Sequence, residues 1–459
     1  MIHKSGAIRY NASMASAPRL PPARLLFVSI TAVVIGGLMA FGAKFILWLI
    51  AVITNISFYG RFSSVPVTAA QNHLGAWVIL IPAVGAVIVG LMARYGNRGI
   101  QGHGIPEAME QVLFNESKIA PEILALKPLS TAVVIGTGGP FGAEGVVIAT
   151  GGALGSLFGQ WLAISPVERK ILLAAGAAAG LSATFCSPIA AVLLAVELLL
   201  FEFHPRSLIP VSLASAAAAA LREKIIGPGP LFAISPVAAA TGPVFLSYAA
   251  LGLAMGLLAV VVVRAVAHAE ELFEKLPIHW MWKPALGALA IGLLGYCDPR
   301  VFGPGYDVIG GILSAALSPA GAVKIGGLKL AAWIVGVASA TSSGTLAPLL
   351  LIGAGAGAGF SRVFAAVFHS AALDPRLAAL VGLAAFFGGM SGAFLAAMML
   401  VIETTWQVHV FVPLLTGCAA SYLVCRLLSN ENIMTQKFAK QGRAVPAGYA
   451  ADEPEAPRP

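Results

Sequence analysis

The apolar stretches of this chain are long, numerous and repeatedly broken, and that combination restricts the fold more than any single motif. Runs with at most one charged residue extend over 25–53, 74–92, 146–164, 244–267, 349–368 and 410–428, and shorter apolar runs lie between them. At about 1.5 Å per residue, a helix of roughly 20 apolar residues crosses a bilayer. Only 10% of the 459 residues are charged and the mean hydropathy is +0.88, whereas a soluble domain carries about a quarter charged residues. Too little polar surface is left to coat a water-facing globule. The sequence specifies an all-α polytopic membrane protein, and it excludes a soluble enzyme, a disordered chain and a disulfide scaffold.

Charge is placed at the ends of the apolar region. The formal net charge is +8, with Lys4, Arg9, Arg19 and Arg24 ahead of the first long run and Arg426, Lys437, Lys440 and Arg443 at or beyond the end of the last. By the positive-inside rule both termini are expected in the cytoplasm, in a multi-pass protein of the cell's inner (plasma) membrane. Residues 1–24 lack an apolar core, so no removable signal is expected. Basic flanks of this kind belong to the bilayer surface, and no nucleic-acid partner is implied. Cys186, Cys297, Cys418 and Cys425 have no paired spacing, which points to neither a disulfide framework nor a metal. His103 and Glu107 are four apart, but two groups without a third make no metal site, and no cofactor is implied.

The chain also repeats itself. Leu126-Lys127 matches Leu328-Lys329, Gly142 matches Gly344, Gly151 matches Gly353, Gly155 matches Gly357 and Phe158 matches Phe360, all at an offset of 202. A looser pair, Gly102-His103-Gly104 against Gly303-Pro304-Gly305, is offset by 201. These matches divide the chain into an N-terminal segment (1–24), a first half (25–225), a linker (226–243), a second half (244–430) and a cytoplasmic tail (431–459). With an odd number of spanning elements in each half, the halves insert in opposite senses.

Three broken-helix motifs carry the functional expectation. Gly102–Glu107 reads as a flexible turn followed by a helix with Pro and an acid in its first turn. Gly136–Val146 places Glu144 among glycines, and Gly344–Pro348 is its partner by the repeat. In lipid, non-helical backbone survives only inside protein or along a watery cavity, and Gly/Pro-broken apolar segments point to a transport site. A helix N-terminus exposes unpaired N–H groups and the positive end of the dipole, which suits an anion. No Lys or Arg falls in the three motifs, as befits a site that must release its ion. An ionisable residue at membrane depth is functional by default. Ionised, Glu144 would occupy the anion seat itself; protonated, it would swing away, acting as gate and proton carrier together.

These motifs, taken in order, resemble the CLC family of chloride channels and chloride/proton antiporters over nearly the whole chain. The family's GSGIP is matched by Gly102-His103-Gly104-Ile105-Pro106, its G(R/K)EGP by Gly142-Ala143-Glu144-Gly145-Val146, and its GxFxP by Gly344-Thr345-Leu346-Ala347-Pro348. The acidic end of the stretch from Ser187-Pro188 to Glu197, and Glu403 after Ile402, fit two further signatures. The resemblance implies a homodimer of independent pores, an inverted repeat of about 18 tilted and broken helices per subunit, and a gating glutamate at Glu144. It also implies an anion site formed by His103, Gly104, Ile105, Gly142, Ala143, Gly145, Thr345, Leu346, Ala347 and Met434. His103 and Met434 stand where the family has an anion-holding serine and tyrosine, Ala143 stands for the arginine and Leu346 for the phenylalanine. The internal proton-relay glutamate of the antiporters aligns with Leu198, which leaves water, Glu197 or Glu202 to carry a proton, or no coupling at all.

The expected function is therefore transport of an inorganic anion, chloride by default, gated by Glu144 with protons as the candidate counter-substrate. An uncoupled channel, or a transporter for fluoride or nitrate, is the alternative. An intramembrane enzyme built on His103 and Ser187 would need a nucleophile with a base in reach, and neither residue sits in a catalytic motif. A carrier for a neutral or cationic substrate would favour carboxylates and carbonyls over opposed helix N-termini.

Overall fold

The computed structural model describes residues 20–238, 244–342, 344–368, 373–429 and 431–446; Lys4, Arg9, Arg19 and the ends of the linker and tail lie outside them. Seventeen α-helices and no strands occur among the described residues. The first eight are α1 (Pro22–Tyr59), α2 (Leu80–Tyr95), α3 (Ile105–Phe114), α4 (Pro121–Gly136), α5 (Glu144–Trp161), α6 (Pro166–Phe185), α7 (Pro188–Ala195) and α8 (Pro205–Ile225). The next eight are α9 (Val244–Lys275), α10 (Lys283–Cys297), α11 (Tyr306–Leu313), α12 (Pro319–Ala338), α13 (Leu346–Val367), α14 (Pro375–Ser391), α15 (Phe394–Thr405) and α16 (Phe411–Leu428). A short α17 (Gln436–Lys440) follows. Among the described residues six stretches are long and apolar enough to cross a membrane: Pro22–Tyr59, Gly75–Tyr95, Leu246–Lys275, Pro319–Ala338, Leu346–Val367 and Val408–Leu428.

Local sequence sets the helix starts. Seven helices begin on proline, whose missing N–H would be unpaired there in any case. Ser165 caps α6 through the backbone N–H of Glu168, and the Glu168 carboxylate returns to the N–H of Ser165. The same carboxylate takes two hydrogen bonds from Arg24, both at 2.8 Å, and so ties the first turn of α1 to that of α6.

Helix order and packing repeat between the two sets of eight. α5 packs on α6 as α13 packs on α14; α1 packs on α6 and α8 as α9 packs on α14 and α16. The glycines matched in sequence make these contacts possible. A Cβ on Gly151 would lie 2.0 Å from the Gly176 carbonyl oxygen, and one on Gly353 would lie 2.6 Å from that of Gly382. Gly155 and Gly357 meet Leu172 and Ala378 as closely. Across the halves, α7 and α15 exchange caps. Glu403 accepts from the N–H groups of Ile189 and Ala190 at 3.0 and 2.8 Å, while Glu197 accepts from those of Leu395 and Ala396 at 3.3 and 3.0 Å. The apolar run 189–203 is not a single α-helix: it passes into a π-helical turn, Val196–Leu200, and ends at Phe201 in the left-handed region.

Candidate anion site and gate

The three motifs meet. Gly104 has a φ of +93° and a Cβ on it would sit 2.2 Å from the carbonyl oxygen of Gly145; a Cβ on Gly344 would sit 2.2 Å from that of Gly142. Gly142 donates its N–H to the Gly344 carbonyl at 3.4 Å, and Gly102 donates to Thr341 at 3.1 Å. The N-termini of α3, α5 and α13 are thereby brought together without side chains between them. Ile105, Ala143, Leu346 and Ala347 are buried at this junction, and Met434, in the segment after α16, is buried as well. Glu107 is engaged in α3 itself: its carboxylate accepts from the Gly104 N–H at 2.7 Å and lies 3.6 Å from Lys437.

Two buried lysines hold the turns that lead into α3 and α11. Lys127 donates to the carbonyls of Ile100 and Gly102 at 2.7 and 2.9 Å. Its repeat partner Lys329 donates to Val301 at 2.8 Å and to Gly303. A buried ammonium is costly unless its protons are all placed, and here each one straps a glycine-rich turn to the adjoining long helix.

Glu144 is the first residue of α5 and is fully buried. Its carboxylate folds back over Gly142, where a Cβ would come within 1.8 Å of Oε2. Oε1 accepts a hydrogen bond of 2.5 Å from the Tyr306 hydroxyl, and the Ala347 N–H at the start of α13 faces the same carboxylate. Among the described residues several buried side-chain polar atoms have no hydrogen-bond partner, and Glu144 Oε2, Thr345 Oγ1 and His103 Nδ1 are three of them. Buried polar atoms are nearly always paired, and these three belong to, or directly adjoin, the motifs that meet here. His103 and Gly104 also line a cavity of about 840 Å³ whose wall includes Lys127, Ala149 and Ile433. That cavity reaches α5 one and a half turns past Glu144, and Ile433 adjoins the buried Met434.

The two remaining sequence candidates lie elsewhere. Glu197 caps α15 and, with Leu198, lines a separate cavity of about 230 Å³. Glu202 pairs with Arg206 at 2.9 Å and accepts from Ser207. Ser187 donates its hydroxyl to the Phe185 carbonyl at 3.2 Å. Sequence reasoning missed Tyr306. The repeat marks its position, since Tyr306 follows the Gly303-Pro304-Gly305 turn as Ile105 follows Gly102-His103-Gly104, but it does not mark the contact with Glu144.

The family model for the voltage gated chloride channel matches residues 84–426. The chain belongs to this family. A ClcB-like chloride channel protein of Ralstonia nicotianae is 25% identical over 377 residues, covering 81% of this chain and 88% of the relative. Among solved structures, a slow cyanobacterial Cl⁻/H⁺ antiporter superposes with a TM-score of 0.77 at 22% identity, covering 93% of this chain and 100% of the other. A CLC-type fluoride/proton antiporter gives 0.71 at 22% identity, covering 90% and 98%. These two likenesses establish the CLC fold for this chain. The chain is thus a membrane-spanning member of the voltage gated chloride channel family, and its buried Glu144 is held by a tyrosine that lies 162 positions later in the sequence.

Proposed function

We propose that this protein moves a small inorganic anion, chloride first, across the membrane through the junction of α3, α5 and α13, with Glu144 as gate and proton acceptor. One observation carries the reading: a fully buried carboxylate occupies the meeting point of three helix N-termini. The partial positive charge there is what an anion would seek, so carboxylate and anion compete for one seat. Protonation of Glu144 removes the competitor and opens the seat. The hydroxyl of Thr345, the imidazole of His103 and the N–H groups of Gly145, Leu346 and Ala347 are the donors that would face the anion. The large cavity beside His103 is its route to one side. Names of relatives support the substrate class, since they include both a Cl⁻/H⁺ and an F⁻/H⁺ antiporter. We further place the protein in the inner membrane as a homodimer with both termini cytoplasmic, following its flanking charge and its family.

The test is flux from proteoliposomes read with a chloride electrode and a pH dye. Wild-type protein is expected to show chloride flux that rises as pH falls, with proton movement driven by a chloride gradient. Glu144→Gln is expected to abolish the proton signal and flatten the pH dependence while chloride still passes. Pumping of protons by that variant would remove Glu144 from the mechanism. A wild type that carries chloride and no protons would favour the uncoupled reading.

A further inference from the structure

Glu144 is sealed, yet its hydrogen-bond partner is not. Tyr306 is partly exposed as a residue, while its hydroxyl reaches a carboxylate with no solvent contact. The ring therefore lies between solvent and the anion seat. It is wedged there by two buried phenylalanines: Phe185 meets it edge-on at 6.1 Å between centroids, and Phe232 lies at 6.4 Å with planes 55° apart. Edge-on and tilted ring pairs of this kind are the favoured arrangements. Phe185 ends α6, and Phe232 belongs to the linker between halves, pinned by its N–H to the Thr404 carbonyl at 2.8 Å. None of the three residues lines the 840 Å³ cavity.

We propose that Tyr306 is the latch of the pore on the face that cavity does not reach. Its hydroxyl holds ionised Glu144 in the anion seat, and its ring, packed between Phe185 and Phe232, bars the way from that seat to solvent. The inference rests on Glu144 being the gate and adds the group that couples its charge to an opening. A hydrogen bond to a carboxylate is roughly twice as strong as one to a neutral acid, so protonation of Glu144 weakens the latch at the moment the seat empties. The other groups facing Glu144 are Lys329 on α12 and the Ala347 N–H on α13. Asp307, next to Tyr306, acts on Lys329 in turn. Lys329 and the Ala347 N–H face the carboxylate whether or not the latch is made, so they do not substitute for it.

The full-length protein in proteoliposomes tests this with Tyr306→Phe, Glu144→Gln and the double variant. Tyr306→Phe keeps the ring and removes the hydroxyl. It is expected to raise chloride flux at neutral pH by about tenfold, the scale of a hydrogen bond to a charged group, and to move the flux–pH profile toward alkaline pH. On the Glu144→Gln background the same change is expected to do nothing further. An unmoved profile, or an equal loss of flux in both backgrounds, overturns the latch while leaving the gate intact. If Glu144→Gln itself retains the wild-type pH dependence, the gate reading has failed first. Should Tyr306→Phe not fold, Phe232→Ala decides alone: raised flux supports the latch and unchanged flux overturns it.

Discussion

Thr345 separates a binding role from a structural one at the level of a single atom. Its hydroxyl is buried at the start of α13 and makes no bond to the protein. A hydroxyl kept dry without a partner costs stability, so replacing it by a methyl should not harm the fold. Thr345→Val is expected to leave thermal stability unchanged or slightly raised while chloride binding weakens several-fold, read by calorimetry on purified protein. A drop in melting temperature with unaltered affinity would mean the hydroxyl serves the fold and not the ion. Glu107 and Glu197 illustrate the opposite case, since each carboxylate is spent on a helix N-terminus. A carboxylate's letter in the sequence does not say whether it faces a ligand or a backbone N–H; only the neighbouring helix decides that.

Among the elements, the mirrored lysines invite the sharpest comparison. Lys329 secures the turn that sets Tyr306, and Lys127 secures the turn that sets His103 and Gly104. Exchange of either for Met leaves two carbonyls short of a donor, worth about 1–3 kcal/mol. Both variants should melt earlier in detergent, but Lys329→Met is expected to leak chloride at neutral pH as Tyr306→Phe does, whereas Lys127→Met should weaken chloride binding without the leak. Identical transport defects in the two would deny the turns their separate jobs. Much of this layer was legible before any coordinates: the 202-residue offset picked out Lys127 and Lys329, and Gly151, Gly155, Gly353 and Gly357, every one of which proves to be a contact between helices or turns. What was not legible is reach across the repeat. The short α11 carries too few residues for a periodic signal, and nothing local in Gly303–Tyr306 says that its tyrosine meets a glutamate 162 positions earlier. The π-turn after α7 is hidden for a related reason, because a mostly apolar stretch reads as helix until a left-handed residue such as Phe201 stops it.

Over the whole molecule, the segment around α17 returns to α3 and α9. Lys437 lies 2.7 Å from Glu110, Arg443 lies 3.3 Å from the same carboxylate, and Lys440 lies 2.6 Å from Glu270, so α17 is held beside the large cavity by charges from α3 and α9. These pairs are partly exposed and individually worth little, and the screening length falls to about 3 Å at 1 M salt. Limited trypsin digestion is expected to cut at Lys440 and Arg443 much faster in 1 M than in 0.1 M sodium chloride, with the apolar helices untouched; equal rates would mean that α17 is held by packing alone. Deeper in, the junction of Gly104, Gly142, Gly145 and Gly344 has a consequence for anyone who wishes to redesign the protein. Backbone meets backbone there with no volume to spare, so a substitution library has almost nothing to vary at the point of closest approach. If the junction is the anion seat proposed above, useful diversity is confined to the neighbouring side chains, His103, Thr345 and Leu346, which can be varied without prising the backbones apart.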